Sequence, residues 1–143
     1  MDLESLVVSY GPIGLLVVCF ISATIIPLAS EAAVFGAIKL GVPATEALIY
    51  ASIGNCAAVL FNYWLGRLGS DAIHRRAQTS KWGKRSLDYL ESHGLWALLL
   101  SWLPFIGDPL TIVGGIIRIN FLHFVLITFP LRVIRYIAIL WIV

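Results

Sequence analysis

The chain has 143 residues, of which 59% are hydrophobic and 13% are charged, and its net charge is +2. About a quarter of the residues of a soluble domain are charged, so this chain has too little polar surface for a soluble globule. The composition indicates one small integral membrane domain. The weak net charge, without an aromatic stacking platform, gives no sign of a nucleic-acid partner.

The first apolar segment, residues 5–30, contains no charged residue. It is long enough for a membrane span of about 20 residues and for the entry into the next element. Asp2 and Glu4 stand where a signal peptide has basic residues, so we expect this segment to stay attached. Gly11 and Pro12 predict a kink or a helix start within it.

A helix break around an acidic residue follows, within residues 24–42. Pro27 removes a backbone donor ahead of Glu31, and residues 32–40 return as a short arm that ends at Gly41. An arm of about eight residues rises only ~12 Å, against a hydrocarbon core of ~30 Å. We therefore predict a re-entrant hairpin, which enters and leaves the membrane by one face.

The next apolar segment predicts a second span over residues 44–67. Basic residues are concentrated in residues 68–93, and by the positive-inside rule we expect a cytoplasmic loop there. Trp82, Leu87 and Leu90 favour a short amphipathic helix lying in the headgroup layer. A loop that only sets the topology and a loop that forms a specific lipid pocket are the two interpretations of its basic side chains.

A second acid lies between helix breakers in residues 95–118. Asp108 is flanked by Pro104 and Pro109, and Gly107 adds backbone freedom, so we expect an unwound chain at the acid and a second re-entrant hairpin.

The two hairpins share a pattern. T-x-x-P-x-x-x-E begins at Thr24, and S-x-x-P-x-x-x-D begins 77 residues later at Ser101. Broken segments at corresponding places in two halves are typical of an inverted repeat with a transport site at the repeat interface. Chance similarity between two apolar segments is the alternative interpretation.

The last predicted span, residues 121–143, carries two basic residues. Arg132 and Arg135 are three apart and so share one helix face. Each charge at the centre of a membrane helix costs about 2.5 to 3.5 kcal/mol, so we expect the two arginines to meet Glu31 and Asp108. Snorkelling to the interface and a purely structural ion-pair cluster are the alternatives. A functional cluster would bind phosphate through guanidinium groups and carry protons on its carboxylates.

These elements predict an all-α integral membrane protein forming a single domain over residues 1–143. Half one, about 1–67, and half two, about 94–143, are joined by the loop 68–93. The expected architecture is an inverted repeat of two opposed re-entrant hairpins, with about three transmembrane helices and one amphipathic interfacial helix. With the loop inside, the first span would start in the cytoplasm and run opposite to the second. Neither the cysteines nor the histidines show metal-ligand spacing, so no metal or cofactor is predicted.

Three segments together resemble the DedA family, also called the SNARE-associated or VTT-domain superfamily, in its short YqaA-like branch. They are the first hairpin with Glu31, the run N-Y-W-L-G-R-L-G over residues 62–69, and the second hairpin ending in G-G-I-I-R-I. The resemblance covers nearly the whole chain and matches Arg67 to an arginine at the end of a span. Longer members resemble F-R-x-x-P-G-x-R at the second hairpin, where this chain has no arginine before Asp108.

The resemblance implies a bacterial inner-membrane protein that flips polyisoprenyl phosphates such as undecaprenyl phosphate, linked to the proton gradient, whereas eukaryotic relatives scramble phospholipids. We therefore expect a transporter of an anionic lipid that performs no chemistry on it. A proton-coupled ion or small-solute transporter and a non-transporting scaffold are the alternatives, and assembly into a homo-oligomer is left open. The candidate phosphate ligands are Arg132, Arg135, Arg118 and Arg67, and the candidate proton carriers are Glu31 and Asp108.

Overall fold

A computed structural model of the protein describes residues 3–25, 29–103 and 106–142. The regular secondary structure of these residues is helical: α1 (Leu3–Ile25), α2 (Ala29–Lys39), α3 (Ala44–Ala77), α4 (Lys81–Leu99), a 3₁₀ turn (Leu100–Trp102), α5 (Gly107–Ile116) and α6 (Phe121–Ile142). Three helices, α1, α3 and α6, are long and apolar enough to cross a membrane. The predicted all-helical fold is confirmed, with three helices of the length and composition that a membrane span needs.

The two short helices are those that carry the acids of the sequence pattern. Glu31 lies in the first turn of α2, and Asp108 lies in the first turn of α5. With 11 and 10 residues, the two helices rise about 16 Å and 15 Å, roughly half of a ~30 Å hydrocarbon core. Both carboxylates therefore lie at a helix N-terminus, where the helix dipole stabilises negative charge.

The prediction of an unwound chain at Asp108 is wrong. Gly107 begins α5 and Pro109 lies within its first turn. The N–H groups of a first turn have no partner inside the helix, so a proline there starts the helix and does not break it. The other two predicted helix breakers, Pro27 and Pro104, lie outside the described residues.

The chain divides into two compact units, which we describe separately: a first unit (Met1–Val59 and Pro130–Val143) and a second unit (Leu60–Phe129). In the first unit α2 packs along α1. The start of α3 packs on α1 through Gly54, where an added Cβ would lie 2.3 Å from the Leu16 carbonyl oxygen. The fully buried apolar side chains of this unit include Leu15, Val18 and Val34.

Helices α1 and α3 run in the same direction in the first unit. A cavity of about 350 Å³ lies between the start of α1, the α2–α3 connection and the start of α3; its lining is Val7, Val8, Gly11, Pro12, Leu40, Gly41, Val42, Pro43 and Glu46. Further along, Leu16 of α1 meets Gly54 of α3. The opposite directions expected for the first two spans are therefore wrong. The reason is that α2 packs back along α1, which brings the α2–α3 connection to a point beside the start of α1.

The predicted kink in α1 is confirmed at Gly11, whose backbone angles are φ 56° and ψ −134°. A residue with a side chain rarely adopts such a φ, and Pro12 has no N–H for the preceding turn. Both residues line the cavity at the start of α1.

In the second unit α3 and α5 touch backbone to backbone. An added Cβ at Gly66 would lie 2.0 Å from the Ile112 carbonyl oxygen, and one at Gly115 would lie 2.0 Å from the Tyr63 carbonyl oxygen. Each helix thus presents a glycine to the main chain of the other, as in closely packed membrane helices.

Residues 68–93 are mostly helical, which corrects the predicted loop. Helix α3 continues ten residues beyond Arg67 to Ala77, and α4 begins at Lys81 after a short turn. Basic side chains in the last turn of α3 favour this extension through the helix dipole. The expected amphipathic helix is the first part of α4, with Trp82 79% exposed.

Candidate functional site

Two arginine side chains of α6 lie in the interior of the first unit. Arg132 is fully buried and Arg135 is 7% exposed. They are three residues apart on one helix and therefore lie on the same face. The two side chains are thus enclosed by protein, so their burial must be offset by polar neighbours.

Arg135 forms an ion pair with Glu31 of α2. The distance from its Nε to Glu31 Oε1 is 3.7 Å, and the side chains are 7% and 29% exposed. At this distance the pair is electrostatic and is not a direct hydrogen bond. The Nε atom has no hydrogen-bond partner among the described residues. Glu31 is therefore the more accessible partner, and it covers a guanidinium whose donors are incompletely used.

Arg132 is held by an amide from α3. Its Nη1 donates to Asn55 Oδ1 at 3.1 Å, and Asn55 Nδ2 donates to the Tyr136 hydroxyl at 3.0 Å. The guanidinium of Arg135 lies 5.4 Å from the centre of the Tyr136 ring. A polar chain of contacts thus runs from Arg132 through Asn55 and Tyr136 to Arg135 and Glu31.

Sequence reasoning assigned no partner to Asn55. The available signal was an amide within an uncharged membrane segment, since a polar side chain there needs a partner. Tyr136 is also fully buried. Its position directly after Arg135 placed it in the apolar end of α6, where the sequence does not distinguish it from its neighbours.

Asp108 belongs to the second unit. Its carbonyl oxygen accepts a hydrogen bond from Thr111 Oγ1 at 2.6 Å, which closes the first turn of α5. Its predicted association with the arginines of α6 stays a prediction.

The other two candidate phosphate ligands also lie in the second unit. Arg67 Nη1 donates to the Tyr63 hydroxyl at 3.1 Å, and this hydroxyl donates to the Ile119 carbonyl at 2.7 Å. Arg118 Nε donates to Ser70 Oγ at 3.0 Å, and its Nη2 pairs with the Asp71 carboxylate. These contacts fasten the α5–α6 connection to α3. A role in phosphate binding stays a prediction for both arginines.

The described residues contain no group of three His, Cys, Asp or Glu side chains able to hold a metal ion. The cavity at the start of α1 is lined by apolar residues and by Glu46, and its lining includes neither Glu31 nor Arg135. Arg132, Arg135 and Glu31 together provide two guanidinium groups beside one accessible carboxylate. Such donors bind a phosphate or another oxyanion.

The chain matches the model of the VTT domain over residues 23–142. It is 31% identical over 121 residues to the inner membrane protein YqaA of Escherichia coli K12, covering 84% of this chain and 82% of the relative. It is also 31% identical over 131 residues to an uncharacterized protein of Haemophilus influenzae, covering 85% and 80%. No solved structure matches it. A family model that spans most of the residues, together with these relatives, shows that the chain belongs to the DedA family of VTT-domain membrane proteins.

Proposed function

We propose that this protein moves an anionic lipid across the bacterial inner membrane. The lipid is a polyisoprenyl phosphate such as undecaprenyl phosphate, or a phospholipid, and it leaves the protein chemically unchanged. Membership of the DedA family supports a transport function, and similarity to the inner membrane protein YqaA of Escherichia coli supports the inner membrane as its location.

The observation that carries this proposal is the ion pair between Glu31 and Arg135. A buried guanidinium without full hydrogen bonding is costly, and here its charge is matched by a carboxylate 3.7 Å away while its Nε has no hydrogen-bond partner among the described residues. A phosphate group provides the short, bidentate contacts that this pair lacks. The lipid headgroup therefore replaces Glu31 as the partner of Arg135, with Arg132 on the same helix face as a second ligand.

Glu31 also supplies the coupling to protons. Its side chain is 29% exposed, whereas that of Arg135 is 7% exposed. Protonation of Glu31 removes its charge and weakens its hold on Arg135, which favours binding of the phosphate. Uptake of a proton by Glu31 thus accompanies loading of the headgroup, and Asp108 is the second predicted carrier.

The proposed path uses two re-entrant hairpins. Helices α1 and α2 form the first hairpin, with Glu31 near its tip, and the chain enters from the face where α3 begins. Helices α4 and α5 form the second hairpin, which starts from the other end of α3 and has Asp108 near its tip. The proposed first hairpin differs from the expected one over residues 24–42, because it includes α1, which the sequence analysis predicted as a separate span. Lipid tails would remain in the bilayer during transfer.

The test is exchange of lipid between leaflets in liposomes that contain purified protein. We expect wild-type protein to accelerate exchange of a polyisoprenyl phosphate. Arg135→Lys should slow it about tenfold or more, because lysine keeps the charge and loses the bidentate fork. Glu31→Gln should retain headgroup binding and lose the response to an imposed pH gradient, because the titratable group is gone.

Arg75→Lys is the matched control, since Arg75 is exposed near the end of α3. It should leave exchange unchanged. Folded, correctly inserted wild-type protein that moves neither a polyisoprenyl phosphate nor common phospholipids faster than empty liposomes would overturn the proposal. Proton-driven ion uptake by the same liposomes would then favour an ion transporter, and its absence would favour a scaffold.

A further inference from the structure

The two arginines of α6 are held in different ways. Arg132 is fully buried and donates a direct hydrogen bond of 3.1 Å to Asn55. Arg135 forms the longer ion pair of 3.7 Å to Glu31, which is itself partly exposed, and its guanidinium lies against the Tyr136 ring. Among the contacts of the first guanidinium is a direct hydrogen bond to an uncharged amide, whereas the second faces a carboxylate, which can lose its charge.

The hydrogen bonds determine the orientation of the Asn55 amide. A guanidinium has donors only, so the amide oxygen must face Arg132 and the NH₂ group must face the Tyr136 hydroxyl. Asn55 is fully buried, and water does not compete for these contacts. An amide also orients the guanidinium without adding a negative charge beside it, which an aspartate in the same place would do.

We infer that Asn55 is a positioning residue that holds Arg132 as the stationary ligand of the anionic headgroup, while Arg135 is the ligand that exchanges between Glu31 and the phosphate. Tyr136 is the second support, because its hydroxyl accepts from Asn55 and its ring lies against Arg135. This inference rests on the proposed function. It assigns different roles to the two arginines and a positioning role to Asn55 on α3.

The decisive variant is Asn55→Asp, which keeps the shape of the side chain and adds a carboxylate beside Arg132. We expect affinity for a polyisoprenyl phosphate, measured in lipid nanodiscs, to fall at least about tenfold, because the new carboxylate competes with the phosphate for the same donors. Adding Glu31→Gln should restore part of this affinity, since the number of carboxylates facing the two arginines returns to its original value.

Ser52→Ala is the control on the same helix. Its hydroxyl oxygen is buried and has no hydrogen-bond partner among the described residues. We expect its effect on phosphate affinity to stay within about twofold, because no contact of either guanidinium is removed. Equal losses in Ser52→Ala and Asn55→Asp would mean that the effect is general to this part of α3, which contradicts the inference.

A second readout does not depend on transport. In protein labelled with ¹⁵N-arginine, Asn55→Ala should mobilise the Arg132 side chain more than that of Arg135, with the two signals assigned through Arg132→Lys and Arg135→Lys. An Arg132 side chain as mobile in the wild type as in Asn55→Ala overturns the positioning role. A wild type that exchanges lipid normally alongside an Asn55→Asp variant of equal affinity overturns the inference and leaves the proposed function standing. A wild type that moves no lipid rejects the function itself.

Discussion

The two segments that share the sequence pattern differ in how their short helices are packed. Helix α2 carries Gly36, where an added Cβ would meet nothing within 4 Å. Helix α5 carries Gly115, where an added Cβ would lie 2.0 Å from the main chain of α3. The shared pattern therefore places an acid in the first turn of a short helix in both segments, and it does not specify the surface against which that helix packs.

Glu31 and Asp108, the acids of the two segments, also differ in their surroundings. Glu31 is paired with a buried arginine within the first unit. Asp108 lies at the start of an α5 whose other end is fastened to α3 by hydrogen bonds from Tyr63 and Ser70. The same sequence pattern therefore occurs in two local arrangements: a helix whose acid is paired with a buried arginine, and a helix fixed by backbone contact.

The largest expected effect is in cysteine labelling, which reports the side of the membrane on which α1 and α3 begin. Single cysteines at Ser5 and Thr45, on a background without Cys19 and Cys56, should both react with an impermeant maleimide in intact cells. We expect this because α1 and α3 start at the same end of the first unit. A cysteine at Ser80 should react only after lysis, because the basic segment is predicted to be cytoplasmic.

All-or-none labelling makes this experiment decisive. If the cysteine at Ser5 reacts only after lysis while that at Thr45 reacts in intact cells, α1 crosses the membrane as a separate span. The two segments could not then be a pair of opposed hairpins built from α1–α2 and α4–α5.

The next effect concerns the two glycines. Gly115→Ala should destabilise the protein by about 3 kcal/mol, because its methyl group would collide with backbone atoms that cannot rotate away. Gly36→Ala should stabilise it by about 0.5 to 1 kcal/mol, since alanine favours a helix interior and the space is open. Thermal denaturation of the two variants in detergent measures the difference. Equal responses would show that α2 and α5 are packed alike.

The smallest effect concerns the fastening of α5 to α3. Ser70 is buried, donates to the Ile116 carbonyl at 2.6 Å and accepts from Arg118. Ser70→Ala should therefore cost about 1 to 2 kcal/mol. Asp71→Asn should cost less than about 1 kcal/mol, because its ion pair with Arg118 is exposed to solvent. Denaturation in detergent again provides the measurement, and a larger loss for Asp71→Asn would contradict this ranking.

Much of the fold was predictable from local sequence. The long uncharged segments predicted three helices able to cross a membrane, and the glycine followed by proline predicted the kink at Gly11. The extent of α3 was not predictable from charge, because basic residues set topology and also stabilise the end of a helix. The same ambiguity affected Pro109, since proline both breaks helix interiors and begins helices.

For the candidate site, the sequence by itself determined which charges had to be explained: Glu31, Arg132 and Arg135 stand in apolar segments where an isolated charge is costly. Only the tertiary structure decided that Arg135 meets Glu31 while Arg132 meets Asn55. It also decided that α1 and α3 start at the same end of the first unit. Hydrophobic periodicity and charge cost act along one chain segment, whereas a partner is chosen by helix packing, which depends on close contacts between residues far apart in sequence.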